Sequence, residues 1–471
     1  MRSGRIAAGC TLGLALSCAE QAEPRAQLLL FVDTDTPLFA QLDTQSQASR
    51  AAAIDMLHVE ILGVNGAVQE SRNIVALNVS DWPISFGVVP SGGDARHLSI
   101  RLRGLSSGHV PSTDAQTLAA SANVIIDRLV EVDVGSGVTA RRVTLRGDCM
   151  GVRTTFATFG APATTCVDAA QRHGSPSEGL ASVDVDEPRA TLAGSWALAI
   201  EAPCTAPAPE GAVCIPGGVS VLGELSLAGF SDGLTGWDPV PLRPAALNPF
   251  YLDRVEITVG RVRGLVKAQR VDPPPASAPG PFGECQWLGE DDAKNDAMPM
   301  NCVSQKVAES VCSALGGTLP SEAQWEHAAR GRGEGTRYPW GSMEPECCSA
   351  AFGATSATYG DCPDATIAAA GVHANSPCEG PHDVSRDGVA DLAGNLSEWM
   401  RDAFAPYDAP CWPEGITLDP RCADPTLASE VSRGGDFASP VWQLAASLRF
   451  TPGSLPRATQ GFRCAYPGSP P

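Results

Sequence analysis

Sulfur is the first chemistry this 471-residue chain offers, with sixteen cysteines against seven histidines. Cys10 falls inside an N-terminal apolar run and Cys18 just after it, so the rest of the chain keeps an even number of thiols. An even cysteine count in an exported chain predicts a disulfide framework, because an oxidising compartment lets short loops be stapled. Close spacing predicts local bridges between Cys149 and Cys166, Cys204 and Cys214, Cys285 and Cys302, and Cys411 and Cys422. Cys347, Cys348, Cys362 and Cys378 stay unassigned. Structural zinc is the rival use of cysteine, but the chain has no C-x-x-C and no H-E-x-x-H, and its histidines are scattered singly. The second chemistry is carboxylate. Asp391 and Glu398 stand seven residues apart around Gly394, and such a loop, with backbone carbonyls between its acids, can present hard oxygen ligands to calcium. The same segment also reads as a solvated acidic turn whose Trp399 packs in a core.

The elements that must position these groups are of two kinds. Between residues 26 and 146, strand-like runs recur at short intervals: Gln27 to Val32, Leu57 to Leu62, Ile74 to Val79, Leu98 to Leu102, Val124 to Val134 and Thr139 to Leu145. Alternation such as Leu98-Ser99-Ile100-Arg101-Leu102 puts one face in a core and one in water, which predicts an all-β immunoglobulin-like sandwich. That span holds no cysteine and must rest on its core alone. Residues 147–210 turn to Pro, Ala, Gly, Thr and Ser around two cysteine pairs, and read as a stapled linker. From 211 to 467 a few helices stand among Gly- and Pro-punctuated loops. Thr258 precedes one, with Val262, Leu265 and Val266 on one side; Ser304 caps another, with Val307, Val311 and Leu315 at helical spacing, ending at Gly316-Gly317. Ser321 and Gln324 have capping-box spacing and open a third. So few helices leave much of this region as loop, which needs bridges or bound ions to hold shape.

Composition narrows the partners. Lys plus Arg number 33 against 53 Asp plus Glu, a net charge of −20, and no basic run interrupts the chain, so nucleic acid is excluded as a ligand. Glycine (48) and proline (39) exceed their usual share without reaching that of disordered chains. Met1-Arg2-Ser3-Gly4-Arg5, an apolar run from Ile6 to Leu16 and then Ser17-Cys18 have the layout of a secretory signal over residues 1–17, too short to span a bilayer. Ala15-Leu16-Ser17-Cys18 resembles a bacterial lipobox, which implies acylation of Cys18, a tether over 18–25 and a lipid anchor in the cell envelope. Ala19 in place of Asp points to the outer membrane. An ordinary cleaved signal with an incidental cysteine is the other reading.

Six collinear motifs carry a family resemblance. They are Phe250-Tyr251-Leu252-Asp253-Arg254-Val255-Glu256-Ile257-Thr258, Met298-Pro299-Met300-Asn301, Leu319-Pro320-Ser321-Glu322-Ala323-Gln324-Trp325-Glu326, Tyr338-Pro339-Trp340-Gly341, Asp391 to Trp399, and Arg433-Gly434-Gly435 with a terminal Gly461-Phe462-Arg463-Cys464. Together they resemble the formylglycine-generating enzyme, or sulfatase-modifying factor, domain. The resemblance implies an α+β fold of C-type-lectin type and a bridge from Cys312 to Cys464. A second long bridge of the family would need cysteines near Ala329 and Arg449, where there are none. It also implies a structural calcium held by the side chains of Asp391 and Glu398 and the carbonyls of Gly394 and Leu396. Active members use copper on two cysteines after the Arg-Gly-Gly motif, and those cysteines align with Ser439 and Leu444. Neither can supply the soft thiolate that Cu(I) requires, so copper is not expected. The reading that follows is an exported, lipid-anchored and catalytically degenerate protein that binds or scaffolds, with a cleft near Ser439 and Trp442 for a peptide, a protein or a small polar ligand. The alternative is an oxidoreductase of the same superfamily acting on a protein or small thiol by a non-standard site.

Overall fold

The computed structural model describes residues 25–469 apart from 43–47, 64, 91–96, 107–123, 187–189, 228–238, 275–283, 355–361, 363–364, 377–378, 428 and 452–456. The signal segment, Cys18 and Cys378 lie outside the described residues.

Eight strands build the N-terminal part: β1 (Gln27–Thr34), β2 (Met56–Leu62), β3 (Val68–Val75), β4 (Ile84–Val88), β5 (His97–Leu105), β6 (Ile126–Asp133), β7 (Val138–Leu145) and β8 (Ala181–Ser182). They form two four-stranded sheets, ordered β4-β1-β7-β8 and β3-β2-β5-β6. Period-two alternation decides which side chains turn inward: in β4, Ile84, Phe86 and Val88 are buried while Ser85 and Gly87 are exposed. Leu28, Leu30 and Val32 of β1 share one core with Leu57 and Val59 of β2 and Ile100 and Leu102 of β5. β1 runs parallel to β7 and antiparallel to β4.

Two expectations about this part are corrected. The 147–210 stretch is packed into the fold: Met150, Val152, Trp196 and Ala199 are buried in the sandwich core. The Cys149–Cys166 bridge (S–S 1.96 Å) is buried there too, so the sandwich does have a disulfide of its own. Aperiodic sequence reads as linker because burial here follows irregular backbone, with Trp196 Nε1 donating to Asp148 at 2.8 Å.

The C-terminal part carries β9 (Ala212–Ile215), β10 (Gly218–Leu222), β11 (Arg243–Leu247), β12 (Phe250–Asp253), β13 (Ser397–Ala403), β14 (Glu430–Arg433), β15 (Gln460–Gly461) and β16 (Ala465–Pro467). Three helices accompany them: α1 (Val259–Lys267), α2 (Gln305–Ala314) and α3 (Glu322–Ala329). Thr258, Ser304 and Ser321 cap them, each accepting from the backbone N–H three residues on, and Gln324 completes a capping box on α3. The strands make three small sheets, β10-β11, β16-β12-β9 and β14-β13-β15, and apolar side chains divide among several separate clusters. Small cores stabilise weakly, and disulfides take up the difference. Cys204–Cys214, Cys285–Cys302, Cys347–Cys362 and Cys411–Cys422 close short loops, while Cys312–Cys464 ties α2 to the end of the domain across 152 residues.

The two parts are not beads on a string. Val219, Val221, Leu242, Ala246 and Ile416 belong to the sandwich core, and Ser49 Oγ accepts from Val219 N–H at 2.8 Å. Arg172 donates to the carbonyls of Glu414 and Ile416, both at 2.8 Å. No helix among the described residues is long and apolar enough to cross a membrane.

Candidate functional site

Helix α3 is unusual in burying its acids. Glu322 and Glu326 are both inaccessible, and each finds guanidinium groups in place of water. Arg449 grips Glu322 through two bonds of 2.6 Å, and Arg433 adds bonds of 3.0 and 2.8 Å. Glu326 lies 3.0 Å from both Arg433 and Arg330. Burial alone would push the Glu322 carboxyl up, but the Arg449 and Arg433 charges hold it below the usual carboxylate range. From the same helix, Trp325 Nε1 donates to Glu398 at 2.9 Å.

Glu398 is the second residue of β13 and is paired opposite Arg433 of β14. Its carboxylate is held by Arg463, with Nε 2.8 Å from both oxygens and Nη2 at 2.6 Å. The loop before it is shaped by left-handed backbone at Asp391 (φ 53°), Gly394 (φ 91°) and Asn395 (φ 57°). Gly394 admits no side chain, since a Cβ there would stand 2.2 Å from the carbonyl oxygen of Ala351. Asn395 Nδ2 donates to Glu256 at 2.9 Å, which ties this loop to the start of α1.

The acids around the loop are not solvated. Asp391 Oδ2 accepts from Gly371 N–H, whereas its Oδ1 is buried without a hydrogen-bond partner, and so are Asp383 Oδ1 and Glu256 Oε2. His373 Nδ1 is 3.4 Å from Asp391 Oδ1, without the alignment of a hydrogen bond. Burial, then the neighbouring Asp391 charge, push both Glu256 and Asp383 well above the usual range. Tested as a holder for a cation, the cluster fits unevenly. Asp391 has a free, buried oxygen; Glu398 is already neutralised by Arg463. Among the described residues no three His, Cys, Asp or Glu side chains converge as a ligand set. A calcium ion here would therefore lean on Asp391 and on backbone carbonyls such as those of Gly394 and Leu396.

The Arg433 to Leu444 segment runs from β14 through a glycine turn, Gly434 and Gly435 both having positive φ. Ser439 is buried, and its hydroxyl donates to Asp436 Oδ1 at 3.1 Å while accepting from Asp436 N–H at 3.1 Å. Leu444 has no exposed surface and packs with Tyr338, Ala350, Phe352 and Ala393. Trp442 is half-buried against Leu227, Ala445 and Leu448. Structure and sequence thus place Ser439 and Leu444 in one segment that offers the oxygens of Ser439 and Asp436 but no sulfur donor. Every cysteine among the described residues is in a disulfide, Cys348 included, so none offers a thiolate. The donor set does not fit Cu(I).

The sulfatase-modifying factor enzyme 1-like domain family matches residues 199–467, more than half of the chain. The chain belongs to this family. It is 27% identical over 315 residues to the formylglycine-generating enzyme of Streptomyces coelicolor, covering 57% of this chain and 96% of that protein. It is 34% identical over 110 residues to the inactive C-alpha-formylglycine-generating enzyme 2 of Mus musculus, covering 23% of this chain and 33% of that one. Among solved structures, PvdO from Pseudomonas aeruginosa aligns at 21% identity and a TM-score of 0.41, over 55% of this chain and 99% of that one.

Within this sulfatase-modifying factor domain, three participants escaped the sequence reading. The motif from Phe250 to Thr258 contains Glu256 without marking its carboxylate, and Asp383, eight residues before Asp391, stands in none of the motifs. Arg449 drew notice only as a position without a cysteine, yet it is the strongest partner of Glu322, 127 residues away.

Proposed function

We propose that this protein is a non-oxidising member of the sulfatase-modifying factor family that acts in binding or scaffolding at the cell envelope, exported and held to the membrane by an acylated Cys18. The observation that carries the reading is Leu444. An active-site thiolate of the family would stand where an apolar side chain completes a core, and its companion position is a serine hydroxyl already bonded to Asp436. A hydroxyl ionises far less readily than a thiol and binds Cu(I) poorly, and leucine has no donor atom. The partner is a peptide, a protein or a small polar ligand. Calcium is proposed as a structural ion at Asp391 with the carbonyls of Gly394 and Leu396.

The test is a copper-supplemented oxidation assay on a Cys-x-Pro-x-Arg peptide. No turnover is expected, and turnover would favour the oxidoreductase alternative and overturn this reading. Calcium is tested by thermal melting of wild type and Asp391→Asn with calcium or chelator. A native-state ligand adds about 2.7 kcal/mol at a hundredfold excess over Kd, so wild type should melt higher with calcium and the variant should not respond. Identical melts would remove the ion. Mass spectrometry of the mature N-terminal peptide from a Gram-negative host tests Cys18, where an unmodified cysteine would refute the anchor.

A further inference from the structure

In a chain with a net charge of −20, arginines find carboxylates easily, and Arg433, Arg449 and Arg463 each hold one. Arg401 and Arg421 do not. Among the described residues neither makes an ion pair, and Arg401 Nε is shielded from water with no acceptor. Both line one cleft of about 280 Å³, and Arg401 also borders a neighbouring cavity of about 440 Å³.

Their position is built. On β13, Asp402 points inward and Arg401 outward, as alternation demands. Arg421 is brought alongside by its neighbour Cys422, which is bridged to Cys411, donates its N–H to Asp402 Oδ1 at 2.9 Å and accepts from Ala403 N–H at 3.0 Å. Three nearby acids already accept from other donors. Asp402 accepts from the N–H groups of Glu322 and Cys422, Asp419 from Asn248 at 3.0 and 2.7 Å, and Asp424 from Thr426 at 2.9 and 2.7 Å. Two guanidinium groups thus share the cleft with no ion pair to either among the described residues, though Asp402, Asp419 and Glu309 act on Arg401 from a distance; burial and then the Arg421 charge depress Arg401 below its usual value.

We propose that this cleft binds a phosphate or sulfate monoester of a polyol or sugar. The two planar forks match a tetrahedral oxyanion, which would satisfy Arg401 Nε and relieve the repulsion. A bare ion fills only part of the cleft, and Ser429, Asp424 and Glu430 on its rim can take hydroxyl groups of the substituent. The site is independent of oxidase chemistry, so turnover in the peptide assay would leave it untouched.

The experiment is calorimetric titration of the full mature protein at constant ionic strength with glycerol 3-phosphate, inorganic phosphate, glycerol and sodium chloride as probes. Glycerol 3-phosphate is expected to bind, more tightly than inorganic phosphate, with no response to glycerol or chloride. Arg401→Gln and Arg421→Gln should each weaken it about tenfold or more, the size of one charged hydrogen bond, while Arg401→Lys loses less. Arg421 is half-buried outside any strand or helix and makes no ion pair among the described residues, so its variant is expected to keep the wild-type far-ultraviolet circular dichroism spectrum. Binding no stronger than chloride, inorganic phosphate equal to or tighter than the ester, or unchanged binding by a folded Arg421→Gln would each overturn the proposal.

Discussion

Replacing Glu322 by glutamine would leave Arg433 and Arg449 buried beside a group that cannot balance them. Removing one partner of a buried ion pair costs about 3 to 5 kcal/mol, because the remaining charge stays desolvated. Glu322→Gln is therefore expected to lower the denaturant midpoint sharply. Asp424→Asn, on an exposed turn, is expected to change it by less than about 0.5 kcal/mol. A midpoint for Glu322→Gln within error of wild type would show that the pair contributes nothing. Gly394→Ala is a second residue-scale case. It combines positive φ with a contact that backbone cannot yield, and is expected to destabilise by more than the roughly 1 kcal/mol of an ordinary Gly-to-Ala strain. Equal stability of that variant would mean that the loop relaxes.

At the scale of elements, α3 is joined to β10 by His327. Nε2–H donates to the carbonyl of Pro216 at 3.0 Å, so Nδ1 accepts from the Ser220 hydroxyl at 2.9 Å. Burial pushes this imidazole down to about 4. The unfolded chain titrates near 6.5 and so binds the proton first; stability from this group is complete above about 6.5 and is lost as pH falls toward 4. The loss is on the order of 3 kcal/mol. Unfolding followed from pH 7 to 4.5 should show that slope, and His327→Gln should flatten it. The helices themselves were legible in sequence because caps and periodicity agree, as at Ser304 and at Ser321 with Gln324. Strand β3 was not, since its residues from Val68 to Val75 are almost all exposed and an edge strand open on both faces carries no alternation. β4 was missed for its brevity. The site was half legible: Asp391, Glu398 and the Ser439 and Leu444 substitutions stand in local motifs. Glu256, 139 residues from its partner Asn395, and Arg449, 127 from Glu322, are brought in by packing, and contacts between distant single residues leave no local pattern; Asp383 is near Asp391 in sequence but stands in no motif.

The whole molecule behaves as one body if its shared core is continuous. Val219, Val221 and Ile416 complete the sandwich, so residues 26–146 expressed alone lack part of their own interior, and no cooperative melt is expected from them. The full chain is expected to show one calorimetric transition, and two well-separated ones would contradict the shared core. Cys312→Ser removes a loop closure worth about 5 kcal/mol on chain-entropy grounds and should lower that single transition. The same bridge has a temporal consequence. Synthesis proceeds from the N-terminus, and bridges such as Cys204–Cys214 find their partners within 10 to 17 residues. Cys312 must wait 152 residues for Cys464. A reactive thiol on α2 is thus the mark of an unfinished domain, and its disappearance reports that the segment around Cys464 has arrived and docked.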